Sequence, residues 1–119
     1  MSIVKGIRGA ITIEANTEEA IKLGTLELFG TLLLENDIED VSKISHVILT
    51  MTKDLDAAFP AKFIREELNL NELAMMCYNE LDVNNSLKKC LRILIVLNCN
   101  EDFEPKFVYL KGASNLREK

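Results

Sequence analysis

Several residue types are scarce in this chain of 119 residues, and each shortage argues against a class of protein. Histidine occurs once, as His46, and no two cysteines form a C-x-x-C pair, so the sequence does not support a structural zinc site. The odd number of cysteines, Cys77, Cys90 and Cys99, is typical of reduced thiols in a cytosol.

Long hydrophobic runs are also absent. Runs such as ILIVL and LLL are far too short to cross a bilayer, and MSIVKGIRGAITIE has neither the long apolar core nor the cleavage site of a signal peptide. Lysine and arginine number 14 against 19 aspartates and glutamates, which gives a formal net charge of −5. This balance argues against sequence-independent binding to nucleic acid or anionic membranes, although it is compatible with a local basic pocket.

The remaining composition is that of an ordinary globular protein. Hydrophobic residues make up 48% of the chain and charged residues 28%. Because no repeat, low-complexity tract or linker interrupts the sequence, residues 1–119 are expected to form one domain, with residues 110–119 as a polar tail within it.

Hydrophobic periodicity predicts the order strand, long helix, strand, helix and three strands, which is an α+β or α/β domain. Asn16 or Thr17 is suited to cap the long helix, and Pro60 lies in the first turn of the second helix. The predicted strands are SIVKGIRGAITI, ISHVILTM, ELAMMCYNE, KCLRILIVLN and KFVYLKGA, and the predicted helices are NTEEAIKLGTLELFGTLLLEN and DAAFPAKFIREEL.

Finer details of the elements are also predicted. Glu18 and Lys22 form a favourable i,i+4 pair on the long helix, and NNSLKK can form one helical turn between two strands. In the first strand, Gly6 and Gly9 allow close backbone approach. On the long helix, the apolar residues with helical spacing are Ala20, Leu23, Leu26 and Leu33. In the first strand, side chains alternate between two faces. One face is expected to hold Gly6, Arg8 and Ala10, and the other Ile7, Gly9 and Ile11.

Two arginines lie in apolar strand segments. Arg92 opens the run that continues as ILIVL, and Arg8 lies within GIRGAITI. Because an unpaired buried charge is very costly, each arginine either discourages aggregation at a sheet edge or binds an anionic ligand. A guanidinium group binds carboxylates bidentately and keeps its charge at any relevant pH. Lys62 and Arg65 are three residues apart on a helix, which is typical of a solvated face.

Other candidate residues have ordinary structural explanations. Cys77, Glu80 and His46 could suggest a hydrolase, but no nucleophile elbow or oxyanion-hole turn accompanies them, and His46 is better explained as a histidine packed in or beside its strand. By pattern alone, Tyr109 is a core aromatic with its hydroxyl at the rim, and Phe59 is a contact at a helix start. The segment GIRGA lacks the spacing of a nucleotide-binding loop.

Five segments, taken in order over nearly the whole chain, resemble one known family. They are GIRGAITIEANTEE, DLDAAFPAKFIRE, CYNELDV, LKKCLR and VYLKGASNLR, and they resemble the small trimeric, monofunctional chorismate mutases. The resemblance implies a mixed sheet with helices packed against it, and three subunits forming a pseudo-α/β barrel with active sites at their interfaces. It also implies the Claisen rearrangement of chorismate to prephenate, on the path to phenylalanine and tyrosine, without metal, cofactor or covalent intermediate.

The resemblance assigns a role to each candidate residue. Arg8 corresponds to an arginine that binds a substrate carboxylate, and Arg92 to one that reaches the ether oxygen and a carboxylate. Glu80 and Cys77 correspond to a pair near the ring hydroxyl, which requires a bend because residues three apart on a strand face opposite sides. Tyr109 corresponds to a tyrosine beside the side-chain carboxylate. The neighbouring subunit would supply Phe59, Ala61, Lys62, Arg65, Met75 and Met76, and a closing C-terminal segment would contain Leu116 and Arg117.

These residue types suit the chemistry that the resemblance implies. Chorismate is a dianion, and negative charge gathers on its ether oxygen as the C–O bond lengthens, so a fixed cation there binds the transition state better than the substrate. Two other functions remain open from the sequence: an enamine or imine deaminase of the related trimeric fold, and a non-catalytic trimer that binds a carboxylate metabolite.

Overall fold

The structure, a computed structural model, describes residues 2–116. Five strands and two α-helices follow one another along the chain. They are β1 (Ser2–Thr12), α1 (Glu18–Glu35), β2 (Ile44–Met51), α2 (Pro60–Glu67), β3 (Ala74–Asn79), β4 (Cys90–Asn100) and β5 (Val108–Leu110), with short 3₁₀ helices at Val41–Lys43 and Lys111–Ala113.

The five strands form one mixed sheet in the order β3-β2-β4-β1-β5. The central strand β4 runs antiparallel to both of its neighbours, whereas the edge strands β3 and β5 pair in parallel with β2 and β1. Parallel pairs need crossover connections, and the segment that contains α2 supplies one of them between β2 and β3. The predicted mixed sheet with helices against it is therefore confirmed.

Alternation in the central strands separates a buried face from an open one. Ile7 and Ile11 are fully buried, whereas Arg8 between them points to the other face and is exposed. In β4, Ile93 and Leu91 are buried in the same way around Arg92. The predicted division of β1 into two faces is confirmed, because side chains of a strand alternate with a period of two.

Helix α1 covers the buried face of the sheet. Its N-cap is Thr17, whose hydroxyl accepts a hydrogen bond from the backbone N–H of Ala20 at 3.1 Å. The buried positions of the helix are Ile21, Gly24, Thr25, Leu28, Phe29 and Leu32. The predicted apolar face was therefore wrong in part, because Leu23 is 64% exposed. Apolar residues lie around most of this helix, so the sequence pattern did not define which side packs against the sheet.

Charged residues link the two helices to each other. Glu18 pairs with Lys62 of α2 at 3.2 Å, and Lys22 pairs with Glu67 of α2 at 2.8 Å. The predicted i,i+4 pair between Glu18 and Lys22 does not form, because α2 lies alongside α1 and offers each residue a partner of opposite charge.

Two local predictions near the strand ends are also wrong. The segment NNSLKK is a turn without helix, and Asn85 and Lys89 have left-handed φ angles of 65° and 48°. The last strand is limited to Val108–Leu110, because Lys111 with a φ of 51° begins a 3₁₀ helix. Among the described residues, neither α-helix has the length and apolarity needed to cross a bilayer.

Within residues 2–116, the second face of the sheet carries no α-helix, only the short 3₁₀ helix Lys111–Ala113 at one end, and we call it the open face. Val4 and Met76 on this face are each 59% exposed, and Tyr78 is 49% exposed. Ile48 and Leu94 lie between them on the central strands and are half-buried. The charged candidate residues Arg8 and Arg92 share this face.

Candidate active site

A row of side chains crosses the open face from one edge of the sheet to the other. Strand pairing places Tyr78 opposite Thr50, Thr50 opposite Arg92, Arg92 opposite Ala10, and Ala10 opposite Tyr109. Because neighbouring strands are about 4.8 Å apart, Arg92 and Tyr109 lie about 10 Å from each other across the small side chain of Ala10. The alanine thus leaves space between two large polar side chains.

Glu80 joins this row from the end of β3. Its backbone N–H donates to the carbonyl oxygen of Met51 at 2.9 Å, which holds the residue against β2 just beyond the last residue of β3. Its Oε1 atom accepts a hydrogen bond from the hydroxyl of Thr50 and forms an ion pair with Arg92 Nε at 3.1 Å. The side chains of Arg92 and Glu80 are 44% and 19% exposed, so the charge of Arg92 is paired and only partly buried.

Four of these residues, Thr50, Glu80, Arg92 and Tyr109, line one concavity of about 610 Å³ on the open face. This volume lies within the range of about 300–1,000 Å³ that is typical of small-molecule sites. Two guanidinium groups and one carboxylate give it a positive balance in a protein of net charge −5. The lining consists of Arg8, Gly9, Ile48, Thr50, Glu80, Arg92, Ile93, Leu94, Tyr109 and Leu116.

Arg8 is held at the β5 side of the concavity. Its Cζ atom lies 5.2 Å from the centroid of the Phe107 ring, which is a cation–π distance. Phe107 directly precedes β5, and β5 pairs with β1 next to Arg8 through Gly9 and Val108. The guanidinium group is therefore brought towards Tyr109 by the strand on which Tyr109 lies.

A small apolar cluster supports the end of the concavity at Tyr109. Ala10, Cys90 and Ala113 form its buried centre, and Tyr109 and Leu116 pack against it. Burial raises the pKa of the Cys90 thiol above its usual value, although the nearby positive charge of Arg92 opposes this effect. The thiol is consequently neutral at physiological pH and adds no negative charge beside Arg92.

The structure does not place Cys77 in this concavity. Cys77 pairs with the buried residue Leu49 and packs against the main hydrophobic core, whereas the Glu80 carboxylate reaches Thr50 on the open face. The predicted bend that would bring the two side chains together is therefore wrong within one chain. Strand β3 stays regular up to Asn79, and alternation sends Cys77 to the opposite side.

His46 forms no catalytic triad with Cys77 and Glu80. It lies on the open face of β2, and its Nδ1 atom is 3.1 Å from the hydroxyl of Ser45. Within residues 2–116, no group of three or more histidines, cysteines, aspartates and glutamates is arranged to hold a metal ion.

The residues predicted to come from a neighbouring subunit lie apart from the concavity of their own chain. Phe59, at the start of α2, is 74% exposed, and Lys62 contacts Glu18 and lies 5.7 Å from the ring of Phe63. The others are Ala61, Arg65, Met75 and Met76, which lie on α2 and β3. The predicted closing residue Leu116 lines the concavity, whereas Arg117 lies outside the described residues.

Sequence reasoning missed Thr50, a polar residue that lines the concavity, and Phe107, which contacts Arg8. The alternation in ISHVILTM places Thr50 on the face opposite to Leu49 and Met51, so the pattern contains its orientation. Its contact with Glu80 depends on the pairing of β2 with β3, and the contact of Phe107 with Arg8 depends on the pairing of β5 with β1. Neither pairing is visible in the sequence.

Together, the fold and the site define an α+β protein with a cationic concavity suited to a small, multiply charged anion. Comparisons with known proteins make this class specific. The profile of the family described as chorismate mutase type I matches residues 4–119. The chain therefore belongs to the type I chorismate mutase family, whose activity is that of an isomerase, and the predicted family is confirmed.

Individual relatives agree with this assignment. The chain is 37% identical to chorismate mutase AroH from Thermus thermophilus over 116 residues, covering 97% of this chain and 94% of the relative. It is 34% identical to chorismate mutase AroH from Bacillus subtilis strain 168, covering 97% and 91%. The solved structure of a chorismate mutase from Clostridium thermocellum is similar with a TM-score of 0.85 at 40% identity, covering 92% of this chain and 96% of that one.

Proposed function

We propose that this protein converts chorismate to prephenate, an isomerase reaction that leads to phenylalanine and tyrosine. One observation carries the assignment of the site: Arg8, Glu80, Arg92 and Tyr109 line a single concavity in a chain that belongs to the type I chorismate mutases. The matched family supports the reaction, and the concavity supports these four residues as the groups that perform it.

Binding of the substrate rests on the two arginines. Chorismate carries two carboxylates, and a guanidinium group pairs with a carboxylate through two parallel hydrogen bonds. Arg8 and Tyr109 lie on adjacent strands at one end of the concavity, where they would hold the side-chain carboxylate. Fixing both ends of the substrate favours the chair-like conformer and removes orientational freedom before the reaction.

Arg92 is the proposed donor to the ether oxygen. As the C–O bond breaks, that oxygen gains negative charge, and a donor aimed at it stabilises the transition state more than the substrate. The Glu80 contact uses Nε, which is one of the five N–H groups of the guanidinium. The pairing thus orients the group while its other N–H donors can be aimed into the concavity.

Glu80 is the proposed acceptor for the ring hydroxyl of the substrate. Its Oε1 atom is occupied by Thr50 and Arg92. The second carboxylate oxygen, Oε2, is the one proposed to accept the hydroxyl hydrogen. The rearrangement transfers no proton, and a carboxylate used only as an acceptor is compatible with that.

A homotrimer would complete each site. The open face exposes Val4, Met76 and Tyr78, and Phe59 is exposed at the start of α2. Exposed apolar patches of this kind are typical of interaction sites. We propose that α2 and β3 of a neighbouring subunit bring the remaining wall to the concavity, namely Phe59, Ala61, Lys62, Arg65, Met75 and Met76.

Two further residues belong to this proposal. Leu116 and Arg117 would close the end of the site beside Tyr109. Cys77 would contribute from its position on β3, within the wall supplied by the neighbouring subunit, and not from beside Glu80 of its own chain. Free thiols at Cys77, Cys90 and Cys99 support a cytosolic location, where cysteines stay reduced.

The direct test is incubation of the purified protein with chorismate, with substrate loss and prephenate formation followed by absorbance. We expect chorismate to disappear with formation of an equal amount of prephenate. Hydrolysis of an imine with no effect on chorismate would instead support a deaminase. Binding of a bicyclic ether dicarboxylate without any turnover would support a non-catalytic carboxylate-binding protein, and either result would overturn the proposal.

A further inference from the structure

The Thr50 hydroxyl donates to the same carboxylate oxygen, Glu80 Oε1, that Arg92 Nε contacts at 3.1 Å. We propose that Thr50 is a positioning residue that keeps the Glu80–Arg92 pair joined through a single oxygen. This inference rests on the proposed chorismate rearrangement, because it concerns the donor that acts in that reaction.

Strand pairing places Thr50 where it can do this. Thr50 is directly opposite Arg92 in the pairing of β2 with β4, and both side chains lie on the open face. The next residue along β2, Met51, accepts the backbone N–H of Glu80 at 2.9 Å. Glu80 is therefore attached to β2 twice, once by its backbone and once by its carboxylate, which limits the rotamers open to its side chain.

The alternative arrangement of this ion pair would weaken the proposed donor. An arginine and a carboxylate left to themselves often pair bidentately, with two parallel N–H···O bonds. If Glu80 rotated into that geometry, it would occupy a terminal nitrogen of Arg92 as well as Nε. The hydroxyl of Thr50 holds Oε1 and thereby keeps the carboxylate from turning to face the whole edge of the guanidinium group. Thr50 thus preserves the N–H donors of Arg92 for the ether oxygen.

Two substitutions separate the hydroxyl from the shape of the side chain. Thr50→Val removes the hydroxyl and keeps a β-branched side chain suited to a strand, and Thr50→Ser keeps the hydroxyl. Since hydrogen bonds to charged groups are comparatively strong, we expect Thr50→Val to lower kcat roughly tenfold or more, with KM changed by less than about threefold. Thr50→Ser is expected to retain kcat within about threefold of the wild type.

Thr31→Val is the matched control. The Thr31 hydroxyl donates to the carbonyl oxygen of Glu27 within α1, away from the concavity, so the same chemical change is expected to leave kcat and KM unchanged. Should Thr50→Val fail to fold, Thr50→Ala removes the hydroxyl without adding apolar atoms and takes its place. An equal loss of kcat in Thr50→Ser and Thr50→Val would overturn the proposal.

A double-mutant cycle with Glu80→Gln tests whether Thr50 acts through Glu80. An amide pairs far more weakly with Arg92 than a carboxylate does, so we expect Thr50→Val to cost less than about threefold in kcat when residue 80 is glutamine. If Thr50 only packs against its neighbours, the loss in kcat will be the same in both backgrounds, and the proposal fails.

Crystal structures of the wild type and of Thr50→Val give a result that does not depend on activity. We expect the Glu80 carboxylate to contact Arg92 through one oxygen in the wild type and through two oxygens in Thr50→Val. An unchanged carboxylate in the variant would overturn the role of Thr50 whether or not the wild type turns over chorismate. An inactive wild type with the expected change at Glu80 would contradict the proposed function alone.

Discussion

At the scale of single residues, Arg92 shows how an arginine is accommodated in an apolar strand. The flanking Leu91 and Ile93 are buried, but alternation turns Arg92 to the open face, where its side chain is 44% exposed and paired with Glu80. The charge of Arg92 is thus neither unpaired nor fully buried. The arginine therefore needs no special stabilisation by the core, and its guanidinium group is accessible to bind a ligand.

Replacement of Arg92 by lysine tests whether directed donation matters more than charge. Lysine keeps the charge but is a flexible point donor without the planar fork of arginine, so we expect Arg92→Lys to lower kcat by about 10²–10³-fold. The measurement is the rate of chorismate loss at saturating substrate. The control is Lys22→Arg, which makes the reverse exchange at the exposed ion pair with Glu67 on the helices and is expected to leave kcat unchanged. A loss of less than about tenfold in Arg92→Lys would contradict the role assigned to its geometry.

At the scale of secondary-structure elements, β1 and β5 approach each other closely beside the site. A Cβ atom added at Gly9 would lie 2.4 Å from the carbonyl oxygen of Val108, which is a backbone atom of the neighbouring strand. The short strand β5 carries Tyr109 and follows Phe107, which contacts Arg8. The absence of a side chain at Gly9 therefore brings two residues of the site to their positions.

Gly9→Ala is expected to separate β5 from β1 and to displace Tyr109. We expect a loss of about 1–3 kcal/mol in the free energy of unfolding, as for other overpacked sites, together with a higher KM for chorismate. Urea unfolding and steady-state kinetics measure the two effects. Gly30→Ala in α1 is the matched control: no atom lies within 4 Å of its added Cβ, so it is expected to stabilise the protein by about 0.5–1 kcal/mol. Equal stability of both variants would show that the approach of β5 is not tight.

The loop between β3 and β4 is held by Asp54. Its carboxylate accepts from the hydroxyl of Thr52 and from the backbone N–H of Lys89 at 3.0 Å, and the Thr52 hydroxyl in turn accepts the N–H of Cys90 at 3.0 Å. An exposed ion pair of 2.7 Å between Lys53 and Asp82 adds a second link. These contacts set the start of β4, two residues before Arg92.

Asp54→Asn is expected to change the acid dependence of stability. Burial raises the pKa of the Asp54 carboxyl, but the hydrogen bonds from Thr52 and Lys89 outweigh this, so its pKa lies below the usual 3.8. A carboxyl group whose pKa is lower in the folded than in the unfolded protein stabilises the fold while it is ionised. This stabilisation is fully present at pH values above the unfolded pKa, and it is lost as the pH falls through the folded pKa.

We therefore expect the difference in unfolding free energy between the wild type and Asp54→Asn to be largest near neutral pH and to shrink below about pH 4. Urea titrations at a series of pH values measure it. Asp102→Asn, in the exposed turn after β4, is the control and is expected to follow the wild type. A difference that does not depend on pH would mean that the Asp54 charge is not what holds the loop.

At the scale of the whole molecule, both α-helices described in residues 2–116 cover the same face of the sheet. The open face combines the cationic concavity with exposed apolar residues at Val4, Met76 and Tyr78. A monomer would leave this surface in water, whereas the proposed association would bury it and add a further wall to each site. Assembly and activity are consequently expected to be coupled.

Met76→Asp is expected to break that association, because it places a charge in the proposed interface. Analytical ultracentrifugation is expected to give three times the chain mass of 13.4 kDa for the wild type and a smaller species for the variant, with chorismate turnover lost in proportion. Leu34→Asp is the control, since Leu34 is 74% exposed on α1, on the other side of the sheet. A wild type that is a stable and active monomer would contradict the trimer.

Much of this protein follows from its sequence because the causes are local. The alternation of Ile7, Arg8, Ala10 and Ile11, the Thr17 cap and Pro60 at a helix start depend on backbone geometry within a few residues, and the strands and helices predicted from them are present. The two arginines on the open face could be identified in this way, and the family resemblance added their roles.

The tertiary structure decided what depends on residues far apart in the chain. The contact of Thr50 with Glu80, the contact of Phe107 with Arg8, and the exclusion of the Cys77 thiol from the concavity all follow from which strands pair and in what register. Register is set by burying one whole face of the sheet under the helices at once. That is a collective condition, and no local pattern in the sequence contains it.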